Sequence, residues 1–278
     1  MRLSERFLNQ QRLQGDEAAD QLIADIFSTG QQPLLYQLLN LEVTEVKKQS
    51  RSSVKIFLTS KKKKPDWYDR KKVQNGQQLF KHYSLEIMAL LGVMSLPYCY
   101  AASPGNKALF LSDKMRNSPG KRLIDTASFV IEVLTPESLN DEGWGHIHIN
   151  KVRLIHALSR HYIKRHPEWN QKYGLPINQE DMAGTNLAFS YIILVGLQQS
   201  GYLLSQQEKE DFLFTWRYIG YLLSIHEDLL PTSFAEAYSL EATIRQRNFK
   251  KTEEGKILTA ELLRYYSGML PTWQAELV

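Results

Sequence analysis

Apolar residues recur along most of this chain at the three-to-four-residue spacing of helices buried on one side. After Asp16-Glu17, the residues Ala19, Leu22, Ile23, Ile26 and Phe27 keep that spacing until Gly30 ends the run. Residues 1–40 are therefore predicted to be helical. Leu79, Tyr83, Ile87, Leu90 and Leu91 predict a buried helix within residues 77–102, ending near Leu96-Pro97. An apolar helix is predicted from Arg122 to Leu134, stopping before Pro136, and a turn at 140–145 leads into another that ends before Pro167. Asn178, with Glu180 and Asp181 behind it, caps a helix predicted to run through Phe189 and Ile193 to Gly201. Ser205 with Glu208 opens a further helix reaching His226 before Pro231, and two or three helices finish the chain.

Between these runs, residues 41–76 are polar, basic and irregular. They read as a long ordered loop with a short helix rather than a linker, because Trp67 and Tyr68 need something to pack on. Strand alternation, βα repeats, glycine-rich phosphate loops and internal repeats are all missing. The expected fold is all-α: one multi-helix domain over residues 1–278, with N-terminal helices at 1–40, the basic loop region at 41–76 and a helical core at 77–278.

Composition narrows the function classes. A hydrophobic share of 43% and a charged share of 23% in 278 residues are those of an ordinary soluble domain with a full core. Net charge of +4 is too small to imply nucleic acid, and the excess is local: residues 41–81 hold twelve Lys/Arg against four Asp/Glu, with Lys61 to Lys64 in a row. Such a run is usually a solvated loop, and less often a contact for an anionic partner or membrane surface. The single cysteine, Cys99, excludes a disulfide framework and reads as an inert buried thiol. No signal-type apolar region follows Met1, and the stretch 85–102 is broken by Glu86 and Pro97, so no transmembrane segment and a cytoplasmic location are expected.

Two helices carry candidate chemistry. In Lys151-Val-Arg-Leu-Ile-His-Ala-Leu-Ser-Arg160, rotation by 100° per residue puts Val152, Ile155, Ser159, Tyr162 and Ile163 on one side of His156. Arg153 and Arg160 fall on the other, each within about 60° of it. A histidine on the seam between an apolar and a cationic stripe suits a ligand to a planar cofactor bearing acidic groups; it equally suits a hydrogen-bonded core histidine. In the helix beginning at Arg122, the residues Arg122, Thr126, Phe129 and Val133 share about 60° of arc. A guanidinium and a hydroxyl thus stand one turn apart over an apolar wall, unless Arg122 reaches to the surface and Thr126 bonds to its own helix.

Other histidines carry less. His146-Ile-His148 has no acidic or sulfur ligand nearby and reads as a helix entry. His226-Glu227-Asp228 lacks the repeated Glu-x-x-His of a ferritin-like di-iron site, and no Gly-x-Ser-x-Gly elbow supports serine hydrolysis.

Several motifs together resemble a known family. In order they are Pro65-Asp-Trp67 with Gly76 and Phe80, Leu96-Pro-Tyr98 with Tyr100-Ala-Ala102, and Arg122-Leu-x-x-Thr126. Val152-Arg-Leu-x-His156-Ala-x-x-Arg160, Gly174-x-Pro-Ile-Asn-Gln-Glu-Asp-x-x-Gly-Thr185 and Trp216-Arg-x-x-Gly220 follow. Their order and spacing, from about residue 16 to 225, resemble the rubber-oxygenase catalytic domain of latex-clearing proteins and the fungal oxygenase of mycophenolic acid biosynthesis. The resemblance implies an all-helical domain with a globin-like core holding haem b. It also implies His156 as proximal iron ligand, Arg122 and Thr126 at the haem pocket, and arginines 153 and 160 at the propionates.

The chain departs from the rubber cleavers on the distal side. Where they carry a lysine just before the pocket threonine, this chain has Asp125, and their upstream glutamate base aligns by counting with Asn106. The expectation is therefore a haem b oxygenase using O₂ on a small apolar alkene or terpenoid, with Phe129 and Val133 lining the pocket. A haem-binding or sensing protein without turnover, or a helical scaffold without cofactor, remain the alternatives. Substrate identity and oligomeric state are not legible.

Overall fold

A computed structural model of the chain describes residues 3–40, 52–61, 63–112, 119–141 and 143–268, with the backbone alone for 119–122. The described residues are helical and carry no named strand; one isolated bridge joins Ala102 to Phe249. The helical region predicted over residues 1–40 holds α1 (Glu5–Gln11), α2 (Glu17–Ser28) and α3 (Gln32–Leu39). Within the basic region, α4 (Ser52–Thr59) is the short helix expected there, and α5 begins earlier than predicted, at Arg70, and ends at His82. Asp69 sets that start by accepting the amides of Lys71 and Lys72.

The buried helix expected to end near Leu96-Pro97 instead continues. It comprises α6 (Ser84–Leu90), a π turn (Leu91–Ser95) and α7 (Leu96–Ala101). In the π turn the Leu96 amide reaches back five residues to the Leu91 carbonyl. The extra residue relaxes the ladder just where Pro97 has no amide to give, so the proline widens the helix without ending it. There follow α8 (Gly105–Leu111), α9 (Pro119–Leu134) and α10 (Gly145–Ile163). His146 and His148 lie in the first turn of α10, as expected.

The helix predicted from Asn178 to Gly201 is two, α11 (Gln179–Phe189) and α12 (Tyr191–Gln199). Ser190 breaks it: its hydroxyl bonds back to the Asn186 carbonyl at 2.7 Å. Capping boxes at Asn178/Asp181 and Ser205/Glu208 start α11 and α13 (Gln206–Leu222) where the sequence places them. The last two helices are α14 (Phe234–Asn248) and α15 (Glu253–Ser267).

Helices α5 and α13 form the most extensive pairing, and Gly76 allows it: a Cβ there would lie 2.1 Å from the Thr215 hydroxyl oxygen. The main core gathers around them, with Phe80, Ile87, Val133, Leu187, Phe212 and Trp216 among its members. A second, smaller core joins α2, α3 and α4 to Leu154 and Ala157 of α10. Helix α10 is thus the wall between the N-terminal layer and the rest of the domain.

The basic run is not simply solvated. Lys61 lies 4.2 Å over the Tyr221 ring and Lys64 lies 4.6 Å over Tyr68, while Arg217 covers Trp67 at 3.9 Å. Trp67 in turn packs edge-on against Phe214 and Tyr221. The cations hold the loop onto α13 through ring faces, which accounts for Trp67 and Tyr68 in an otherwise polar stretch. Lys62 lies outside the described residues.

Candidate functional site

On α10 the stripes predicted from periodicity exchange roles. The buried face consists of Ile149, Arg153, Leu154, Ala157, Arg160 and Ile163. Of the expected apolar stripe, Tyr162 is 58% exposed, and Val152, Ile155 and Ser159 are half-buried. The arginine side faces inward because each guanidinium meets a carboxylate of α2 or its cap. Arg153 donates Nε to Asp16 Oδ2 at 2.6 Å and Nη2 to Asp16 Oδ1 at 3.0 Å, and also reaches Ser60 and Asn150. Arg160 donates Nε to Asp20 at 2.8 Å and Nη1 to the Ile177 carbonyl at 2.9 Å; its Nη2 is buried without a partner. Burial raises the Asp20 carboxyl above its ordinary value even against the pull of Arg160.

His156 lies between two differently committed sides of α10. Arg153, Ala157 and Arg160 turn to the N-terminal layer, whereas His148 turns to α9, its Nε2 standing 3.7 Å from the Glu132 carboxylate. By rotation, His156 falls about 80° from His148 and about 60° from Arg153. Within that arc Ile149, Arg153, Arg160 and Ile163 are buried, while Val152, Ser159 and His156 itself are half-buried. A partly accessible imidazole beside a packed apolar and ion-paired face fits the donor that a metal-bearing planar group requires.

The Glu132–His148 contact also sets the register of the α9–α10 hairpin. Eight residues back from Glu132 is Ile124, and eight on from His148 is His156, a rise of about 12 Å along either helix. By this count, Arg122, Asp125 and Thr126 fall on α9 near the level of His156. Thr126 and Phe129 are half-buried, Phe129 against the main core, and Val133 is fully buried in it. Asp125 is exposed on the flank of the helix. The Arg122 side chain lies outside the described residues.

Two predicted site residues, Arg153 and Arg160, are otherwise engaged, and Asn106 sits elsewhere. Asn106, level by count with the family's base, is wholly buried and donates Nδ2 to the Tyr100 carbonyl at 2.9 Å and the Thr252 hydroxyl at 2.7 Å. It fastens α8 to the start of α15. Arg153 and Arg160 spend their charge-assisted bonds on Asp16 and Asp20. Sequence reasoning missed those two carboxylates, whose spacing of four residues on one helical face was the available signal. A cavity of about 270 Å³ lies on that side of α10, lined by Asp20, Ile23, Phe27, Ala157, His161 and Lys164 among others. His161 stacks on Phe27 there at 4.3 Å, and burial lowers its basicity. A larger open groove of about 690 Å³ between α5 and the start of α13 is lined largely by polar side chains, and His156 is not among them.

Comparison with known proteins places this arrangement. The rubber oxygenase of Streptomyces sp. (strain K30) is 23% identical over 261 residues, which cover 89% of this chain and 62% of that protein. The chain thus spans about three fifths of its relative's length. The structure of latex clearing protein in the closed state superposes with a TM-score of 0.77 at 22% identity, over 92% of this chain and 70% of that one. That likeness shows the shared all-helical fold. The catalytic-domain model described as "ER-bound oxygenase mpaB/B'/Rubber oxygenase" matches residues 81–277. This chain therefore belongs to the rubber-oxygenase catalytic domain family, a family of oxygenases.

Proposed function

We propose that the chain is a haem b-dependent oxygenase that acts with O₂ on a small apolar alkene or terpenoid-like substrate in the cytoplasm. The observation that carries the reading is His156 itself, a half-buried imidazole at the level of Arg122 and Thr126 within a fold of this family. Haem, when bound, supplies the iron chemistry by which O₂ is activated. The protein's part is binding and orientation. His156 is the neutral donor to iron. Asp16 and Asp20, through the two arginines, fix how α10 is turned and so where the imidazole points. Half-buried Phe129, backed by the fully buried Val133, offers an apolar wall that favours an alkene over water. Thr126 presents a hydroxyl one turn from the wall, and Arg122 is the further candidate on α9.

Arg153 and Arg160 are positioning residues in this proposal rather than propionate partners, since Asp16 holds Arg153 bidentately and Arg160 binds Asp20 and the Ile177 carbonyl inside the chain. Asp125 in place of a lysine removes a cation from the distal side, which argues for a substrate other than polyisoprene. The same change also favours a second reading, a haem-binding or sensing protein without turnover. Protein expressed with a haem precursor is expected to show a Soret band that His156→Ala abolishes. Reconstituted protein without a Soret shift would overturn the haem assignment. Sustained O₂ consumption with a panel of terpenoid alkenes supports the enzyme; haem binding without consumption supports the sensor.

A further inference from the structure

Residues 84–101 form one apolar helix through α6, the π turn and α7, by length and composition enough to cross a bilayer. It does not cross one in this fold, because Ile87, Leu90, Leu91, Ser95 and Tyr100 bury its inner side in the domain. What remains outside is unusual. The fully exposed positions of the helix are Leu85, Ala89 and Val93, spaced i, i+4 and i+8 on one stripe. Leu85 is 82% and Val93 61% exposed. A water-facing helical stripe ordinarily carries charge; this one carries none. The stretch has a single charged residue, Glu86, half-buried with its carboxylate accepting the Tyr202 hydroxyl at 3.3 Å. Tyr202 also packs on Tyr83 with ring centroids 5.4 Å apart, and the next residue, Leu203, is 94% exposed.

Lysines flank the stripe at both ends. Exposed Lys81 stands in the last turn of α5, immediately before it. At the far end the Lys250 amide donates to the Ala101 carbonyl at 3.2 Å, so exposed Lys250 and Lys251 stand beside the last turn of α7. We infer that this face docks the protein on an anionic lipid surface. The helix lies in the plane of the interface, with Leu85, Val93 and Leu203 entering the acyl boundary and the lysines meeting phosphates. A second copy of the chain is a poorer occupant. Two such helices packed face to face, in either direction, set lysine-bearing ends against each other, and like charge opposes the contact. The inference rests on this surface alone and does not require the haem reading.

The test is co-sedimentation of the full chain with vesicles, either phosphatidylcholine alone or equal parts of phosphatidylcholine and phosphatidylserine. The expected result is binding to the mixed vesicles and weaker binding to the neutral ones. Leu85→Ser with Val93→Ser should lower the partition coefficient by at least about tenfold, with the melting temperature kept, since both positions are exposed. Leu13→Ser, at an exposed leucine away from this helix, should leave it unchanged. Lys81→Glu with Lys250→Glu should remove the preference for phosphatidylserine. Should the double serine variant fold poorly, Leu85→Trp gives a second readout: tighter partitioning and a blue-shifted tryptophan emission on mixed vesicles. Absence of wild-type binding to either vesicle, or binding indifferent to these substitutions, overturns the inference. So does a dimer in solution that the serine substitutions abolish, which would assign the stripe to a second copy.

Discussion

Arg153 and Asp16 form a bidentate ion pair with side chains 1% and 2% exposed, 137 residues apart in the chain. The guanidinium also lies 4.7 Å over the Phe57 ring, so the pair joins the cap of α2, the ring of α4 and the middle of α10. Asp16 does two jobs, because its Oδ1 also accepts the Ala19 amide at the start of α2. Asp16→Ala leaves a buried guanidinium without its counter-charge, and the expected loss is about 3–5 kcal/mol of unfolding free energy. Urea unfolding at neutral pH reads it. The double change Asp16→Leu with Arg153→Met should recover a large part of that loss, because it removes both buried charges together; a double variant no more stable than the single one refutes the pairing argument.

How far the chain's residues disclose this follows from the same pair. The cap role of Asp16 is legible, since a side-chain oxygen ahead of an apolar periodic run has one local use. Its ion pair is not, because periodicity defines the faces of one helix and says nothing of which neighbour meets them. That is why Arg153 and Arg160 read as a solvent or cofactor stripe, when in fact they are the buried side of α10. Pro97 and Ser190 fail in the opposite sense: a π turn lets one helix survive its proline, and a single hydroxyl breaks another at a point with neither glycine nor proline. Motif order points to His156, Arg122 and Thr126 as candidates, and counting along α9 and α10 from the Glu132–His148 contact puts them near one level.

Glu180 was read as a helix-dipole residue, and it carries far more. Fully buried, it accepts Arg12 Nε at 2.9 Å, Arg247 Nε at 2.9 Å and Asn248 Nδ2 at 3.0 Å. Burial pushes its carboxyl up, but Arg247 and Arg12 outweigh it and hold the group below its usual range. Glu180→Ala should cost about 3 kcal/mol by removing the buried carboxylate that Arg12 and Arg247 share, Arg247 keeping Glu5 and Arg12 keeping Asn248. Because Arg12 adjoins α1 and Arg247 also binds Glu5 and Asn9 in it, the loss should be accompanied by faster amide hydrogen exchange in α1. Unchanged exchange there would separate α1 from this network.

Asp181, next in sequence, shifts the other way. Burial, reinforced by neighbouring Glu180, raises its carboxyl from 3.8 to about 7 despite the lowering effect of Arg12. For an acid held protonated in the native state, the folded chain binds the extra proton between those two values. Stability from this group is therefore full below about pH 4 and declines as pH rises toward 7, then levels. Glu180 acts oppositely and only in more acid solution, where its depressed carboxyl begins to protonate. Asp181→Asn should flatten the decline across the weakly acid range. Urea midpoints measured through that range in both proteins check it, and an identical slope in the variant would assign the titration elsewhere.

The remaining prediction separates two roles for the arginines beside His156. If they hold carboxylates of this chain, weakening them alters the fold before it alters cofactor retention. Lysine keeps the charge but loses the planar fork, so Arg153→Lys cannot meet both Asp16 oxygens as the guanidinium does. Arg160→Lys gives up the bond to the Ile177 carbonyl, which needs a second nitrogen. Each change should lower stability by roughly 1–3 kcal/mol, as expected for lost charge-assisted bonds in a buried site. Haem retention, followed by the Soret band on dilution under fully native conditions, should change little. A propionate clamp gives the reverse pattern: a stable apoprotein that releases haem faster. The two outcomes differ in sign on both axes, so one pair of lysine variants decides whether α10 is oriented by its own acids or by those of the cofactor.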